Sequence, residues 1–106
     1  MSEHARDFIF RQKFLDELFS IQEYLNFHGG EKSKYLMEDV IDFCVDIIVS
    51  NPFAFPECYF LKTDTQLYRR AIFRREYAIV YKVTPLLIDI LTIYHTSRDD
   101  RELSVE

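Results

Sequence analysis

Between Tyr68 and His95 the chain reads YRRAIFRREYAIVYKVTPLLIDILTIYH, three runs dense in aromatic and β-branched residues separated by two short breaks. Side chains of that kind pack well on a pleated surface, so each run favours a strand. Residues 77–83 and 86–94 flank Thr84-Pro85 at hairpin distance, and residues 68–73 supply a third run, with Arg74-Arg75-Glu76 where a second tight turn is needed. The pattern predicts a three-stranded antiparallel meander. In the last run Leu86, Ile88 and Ile90 fall on one face and Leu87, Leu91 and Ile93 on the other. A strand apolar on both faces belongs near the centre of a sheet.

The rest of the chain reads as cover for that sheet. Residues 7–11 contain Phe8, Ile9 and Phe10 without helical spacing, which suits a short strand added to a sheet edge. Residues 13–27 place Phe14, Leu18, Ile21 and Leu25 at steps of four, three and four, with Leu15 and Phe19 widening the stripe. Gly29-Gly30, the only glycines, predict a left-handed close to this helix. Residues 31–49 repeat the rhythm with Leu36, Val40, Phe43 and Ile47, backed by Met37, Ile41, Cys44 and Ile48, until Ser50-Asn51-Pro52 stops the helix. The six residues at the start lack any periodicity and read as a loose terminus. The expectation is an α+β domain of order β-α-α-β-β-β, with the helical hairpin packed on one face of the meander through Leu18, Ile21, Leu25, Val40, Phe43 and Ile47. The opposite face is then left for Arg69 or Arg70 and a partner.

With 106 residues and 48% hydrophobic content, residues 1–106 form a single domain able to bury roughly two-thirds of its unfolded surface. Cys44 and Cys58 have no companions at metal spacing and follow no signal peptide, so both are expected as reduced thiols. No apolar run approaches the roughly 20 residues of a membrane span, which points to a soluble cytoplasmic protein. Cofactor motifs are absent as well: no G-x-G-x-x-G, P-loop, H-E-x-x-H or zinc-spaced cysteine pair occurs, so neither a cofactor nor a metal is expected.

The formal charge of −5 is unevenly spread. Residues 1–66 hold six Lys and Arg against twelve Asp and Glu, whereas residues 67–106 hold seven against six. Between Arg69 and Lys82 stand five basic residues and one acid, Glu76, a local positive patch on an acidic protein. Glu38, Asp42 and Asp46 lie at i, i+4 and i+8 on the second helix, read first as a solvated face and second as a docking strip for a basic peptide. The loop FAFPECYF over residues 53–60 has aromatics that either cap the sheet core or form a partner-binding patch.

Tyr68-Arg69-Arg70, the strand EYAIVYKV over residues 76–83, the strand IDILTIYH over residues 88–95, and Arg98-Asp99 together resemble the RelE/ParE superfamily of bacterial type II toxins. The resemblance spans nearly the whole chain. It implies a small α+β toxin kept silent by a cognate antitoxin, the pair contacting operator DNA through the antitoxin, with either the ribosome or DNA gyrase as target.

The ribosome-directed branch cleaves messenger RNA, which requires charge to stabilise the transition state and groups to move protons. By resemblance Arg69 stands at the basic position of the strand before the penultimate one, and Arg98 at the tail arginine. Where such members carry an arginine after the first aromatic of the penultimate strand, Tyr77 is followed by Ala78, and no tyrosine follows Arg98. A chain of pI about 5.2 also suits a ribosomal polyanion poorly. These departures favour the gyrase-directed branch, with Arg69, Arg70 and Arg98 as target-binding candidates. If the chain is instead a nuclease, Arg69, His95 and Arg98 are its catalytic candidates. His95, Arg69, Arg70 and Arg98 each also have a structural reading, as a capped strand end, a solvated or helix-facing arginine, or one half of a surface ion pair with Asp99. A third possibility is a non-toxic protein-binding module, since architecture does not dictate activity.

Overall fold

The computed structural model describes residues 6–30 and 34–98. Of the loose terminus expected over residues 1–6, residues 1–5 lie outside them, as do the first turn expected for the second helix at 31–33 and the tail from 99 onward; Arg6 is held, its Nε donating to Thr84 O at 2.9 Å. A short strand β1, Asp7–Phe10, leads into α1, Gln12–His28. The second helix α2, Leu36–Phe43, continues as a π-helical turn, Cys44–Ile48, and a 3-10 turn follows at Pro52–Ala54. An irregular linker then reaches the meander β2, Tyr68–Phe73, β3, Tyr77–Val83, and β4, Leu87–His95. The sheet order is β1-β4-β3-β2, with β1 parallel to β4 and the other pairs antiparallel. Because β1 adds to the outer edge of the meander, β4 is central and its residues from Ile88 to Tyr94 are buried.

The alternation along β4 does not run unbroken. Val80 faces Thr92 while Tyr81 faces Ile90, so Leu91 is an extra residue, a β-bulge. Beyond it the faces exchange. Ile88, Ile90 and Ile93 all join the helix-side core, and Leu91 and Tyr94 join the other side. The placement of Ile93 with Leu91 expected from strict period two is therefore corrected, as is the start of the strand: Leu86 precedes it and is 78% exposed.

Glu17 of α1 holds the bulge. Its Oε1 accepts the Thr92 hydroxyl at 2.6 Å and the Ile93 amide at 3.1 Å, while Oε2 accepts from Lys13 Nζ at 2.9 Å. A bulge leaves ladder groups unpaired, and this carboxylate takes them up. On the far side Arg11 grips the buried Asp89 with two bonds, Nε to Oδ1 at 2.7 Å and Nη2 to Oδ2 at 2.6 Å, fixing the β1–α1 junction to β4.

The helices cover one face, as expected, through Phe14, Leu18, Leu36 and Val40, with Ile21, Leu25 and Phe43 partly buried against them. Ile47 departs from expectation and is 45% exposed. In the π turn the Val49 amide bonds to Cys44 O at 2.9 Å, five residues back, so each turn takes in more residues. Positions four apart then stay in line, and Leu36, Val40, Cys44 and Ile48 form the buried stripe. Gly29 is a second correction. It is extended, with φ −90°, its amide closing α1 on Leu25 O at 2.6 Å. Gln22, unremarkable in sequence, is buried and accepts the Met37 amide at 2.8 Å, joining α1 to α2.

The face expected to stay open is partly covered by the linker. Cys58, Phe60 and Leu61 pack with Ala78, Val80, Leu91 and Tyr94 into a second, smaller core. Phe55 turns to the helix-side core instead, leaving Phe53 and Tyr59 as the exposed aromatics of the loop. Replacing Glu17 by Ala should cost about 1–3 kcal/mol, because the Thr92 hydroxyl and the Ile93 amide lose their acceptor. Glu17→Gln, which keeps a carbonyl acceptor, should cost less. Thermal melting of the two variants checks this, and equal losses would show that charge rather than acceptance holds the bulge.

Candidate functional site

Arg69 and Arg70 are neighbours on β2 and so point to opposite faces. Arg69 lies across from Tyr81. Its Nη1 donates to Phe55 O at 2.8 Å and Nη2 to Gln66 Oε1 at 3.0 Å, and its guanidinium sits 4.9 Å from the centre of the Phe53 ring. Arg6 approaches the same ring at 5.2 Å. Arg69 Nε is buried without a hydrogen-bond partner among the described residues. Arg69 thus clasps the loop that follows the 3-10 turn, and Tyr81 donates its hydroxyl to Pro52 O at the start of that turn at 2.6 Å.

Arg70 faces the second core. Its Nε donates to Tyr94 Oη at 2.8 Å, and its guanidinium lies between the rings of Tyr59 and Tyr94, at 5.3 and 5.8 Å. Such stacking with a hydrogen bond fixes a guanidinium firmly. Burial raises the Tyr94 phenol above its ordinary range; the Arg70 bond and charge oppose that rise, and Cys58 adds to it. Tyr94 stays a neutral partner for this cation at physiological pH. Sequence reasoning missed this residue, because its side was set by the bulge.

His95 and Arg98 sit at the far end of β4. His95 pairs in register with Tyr77, whose ring meets the imidazole edge-on at 5.6 Å. The His95 Nδ1 lies 3.1 Å from the Ser97 amide and 2.8 Å from its hydroxyl. The amide donates to Nδ1, so the neutral ring carries its proton on Nε2 and presents outward a donor rather than a base. Two hollows flank the imidazole. One, of about 370 Å³, is lined by Asp16, Glu17, Ser20 and Arg98 among others, and the second, of about 540 Å³, by Tyr24, Leu25, Glu76, Tyr77 and Ser97. Both reach Ser20 and Ile21 of α1. Glu17 cannot act as a free base there, since both its oxygens are engaged. Burial, followed by the Glu76 charge, raises the Tyr77 phenol.

The three nuclease candidates do not converge. Arg69 stands opposite Tyr81, and His95 opposite Tyr77, four residues along β3 or about 13 Å at the usual rise. Arg69 is folded onto Phe55 and Arg70 onto Tyr94, which leaves His95 and Arg98 as the pair brought together. Ala78 is fully buried in the second core. Among the described residues no group of His, Cys, Asp and Glu could hold a metal, and no helix is long and apolar enough to cross a membrane.

Both cysteines are buried thiols, and burial pushes Cys44 from an ordinary 9.0 up to about 12. Alkylation at pH 8 should leave the native protein unmodified and label both sites only after denaturation, as mass spectrometry can read. Burial also raises Tyr77, Tyr81 and Tyr94. Above about pH 9 the unfolded chain therefore holds fewer protons than the folded one, and stability should fall as pH rises. Denaturant unfolding at pH 8 and pH 10.5 measures it; a midpoint unchanged or higher at pH 10.5 would contradict the assignment.

The model of the family described as ParE toxin of type II toxin-antitoxin system, parDE, matches residues 8–100. No curated protein matches the chain in sequence. Among solved structures, the chromosomal ParDE toxin-antitoxin system of P. aeruginosa is similar at 18% identity, with a TM-score of 0.66 over 88% of this chain and 98% of that one. YafQ of E. coli follows at 15% identity, with a TM-score of 0.54 over 87% and 94%. At these identities the likeness shows a shared fold, which is the α+β arrangement already described. The match over residues 8–100, on this strand order and helical hairpin, makes the chain a member of the ParE toxin family of type II toxin-antitoxin systems.

Proposed function

We propose that this toxin acts on DNA gyrase and is neutralised by a cognate antitoxin that binds it as an extended segment plus a helix. The observation that carries the target is the dispersal of the cationic groups. Cleavage of RNA requires several charges gathered at one phosphate, whereas here Arg69 and Arg70 are committed to opposite faces and Ala78 offers no charge. Losing one such group typically costs about 10² to 10³ in rate. An antitoxin has surfaces to use: the outer edge of β1 pairs with no described strand, Phe8 and Ile9 on it are partly exposed, and Phe19, Tyr24 and Phe27 stand exposed on α1. Operator DNA is contacted through the antitoxin, and the site of action is the cytoplasm.

The second reading is a ribosome-dependent mRNA endonuclease, and what favours it is the hollow in which His95 and Arg98 meet beside α1. Induction without antitoxin separates the two. The gyrase reading expects inhibited supercoiling, filamentous cells and a DNA-damage response while protein synthesis at first continues. Pulse labelling in the first minutes, with primer extension on a translated message, is the measurement. Early arrest of translation with codon-positioned cuts would sink it. Arg98→Ala should lower potency roughly tenfold, the scale of one contact worth about 1.4 kcal/mol, with no change in melting temperature. Saturating antitoxin should raise that temperature by mass action.

A further inference from the structure

In the turn from β2 to β3, Arg74 and Arg75 both sit at positive φ, 53° and 65°, and the Glu76 amide donates to Phe73 O at 3.1 Å. Two consecutive left-handed residues closed by such a bond favour Asn-Gly or Asp-Gly, because a Cβ crowds the following carbonyl. An arginine lacks the short polar side chain that lets Asn and Asp tolerate this conformation. Non-glycine residues persist in it where the surroundings impose it, and such positions cluster at functional sites.

The two arginines differ in their surroundings. Arg74 is pinned: its guanidinium pairs with Asp39 of α2 and lies 4.8 Å over the Phe73 ring. Arg75 is exposed and makes no hydrogen bond, ion pair or ring contact among the described residues. The turn is also tied to the end of β4, since Phe73, Tyr77 and His95 lie in register and the Thr96 amide donates to Glu76 O at 2.8 Å. Arg75 therefore shares one end of the sheet with His95 and Arg98, while Arg74 acts as its anchor.

We propose that Arg75 is a target-contact residue, presented by this strained turn to an acidic patch on the toxin's protein target. The proposal rests on the reading that the target is a protein. The Arg75 guanidinium, without a partner among the described residues of a chain of net charge −5, suits a carboxylate, which arginine grips bidentately. Holding a polyphosphate takes a larger set of basic contacts.

The test compares the full chain with Arg75→Gly and Arg75→Lys in three assays: thermal melting, growth arrest on induction without antitoxin, and inhibition of purified gyrase at two salt concentrations. Glycine adopts positive φ freely, so Arg75→Gly should melt a few degrees higher than the parent, yet lose tenfold or more in growth arrest and in gyrase inhibition. Arg75→Lys should keep part of the activity and lose more of it at high salt. Full potency in a stabilised Arg75→Gly overturns the proposal, and so does a parent chain that arrests nothing. If the parent arrests growth without inhibiting gyrase, the gyrase reading falls, and the growth assay still scores Arg75. If Arg75→Gly then abolishes codon-positioned cuts in messages, the residue meets an RNA phosphate, and the acidic protein patch is wrong.

Discussion

The Glu17 carboxylate on the bulge of β4 is the contact on which the arrangement of everything else depends. Without an extra residue at Leu91, strict alternation would send Ile93 away from the helices and Tyr94 toward them. With it, Ile93 completes the helix-side core and Tyr94 enters the opposite one, where it meets Arg70. A bulge is costly unless its freed backbone groups are taken up, and α1 supplies the acceptor from the first turns of the helix. The same few residues thus hold α1 to the sheet, turn the strand and decide which side chain partners an arginine.

The placement of the cations limits what they can do together. The basic cluster between Arg69 and Lys82 reads as a patch when the chain is written out, yet its members diverge in space. Arg69 closes over the 55–66 loop, Arg70 stacks between tyrosines, and Arg74 pairs with α2. Arginines with internal partners of this kind brace a small sheet whose second face is covered, among the described residues, by a linker. They are correspondingly less free to gather round a phosphate.

The helical hairpin shows a related compromise. Its apolar residues would form a stripe at steps of four, three and four in a regular helix, but the π turn at Cys44–Ile48 draws positions four apart into line. Ile47 is released to the surface and Ile48 goes in. The turn sits just before Pro52, where the chain must leave the helix and offer Pro52 O to the buried Tyr81 hydroxyl.

Much of the domain was legible in sequence because it rests on local periodicity: the meander, the two helices, the Pro52 stop, the short first strand as an added edge, and Leu18 and Val40 as core. Arg69 and Arg70 on opposite faces followed from the two-residue repeat of a strand. What only the tertiary structure decided depends on groups far apart in the chain. Glu17 meets Thr92 and Ile93 across 75 residues or more, Arg11 meets Asp89 across 78, and Arg70 meets Tyr94 across 24. Periodicity carries no record of such pairings, so the bulge, the π turn, the extended Gly29 and the separation of Arg69 from His95 and Arg98 were settled by packing, where unsatisfied backbone groups and buried side chains choose their partners.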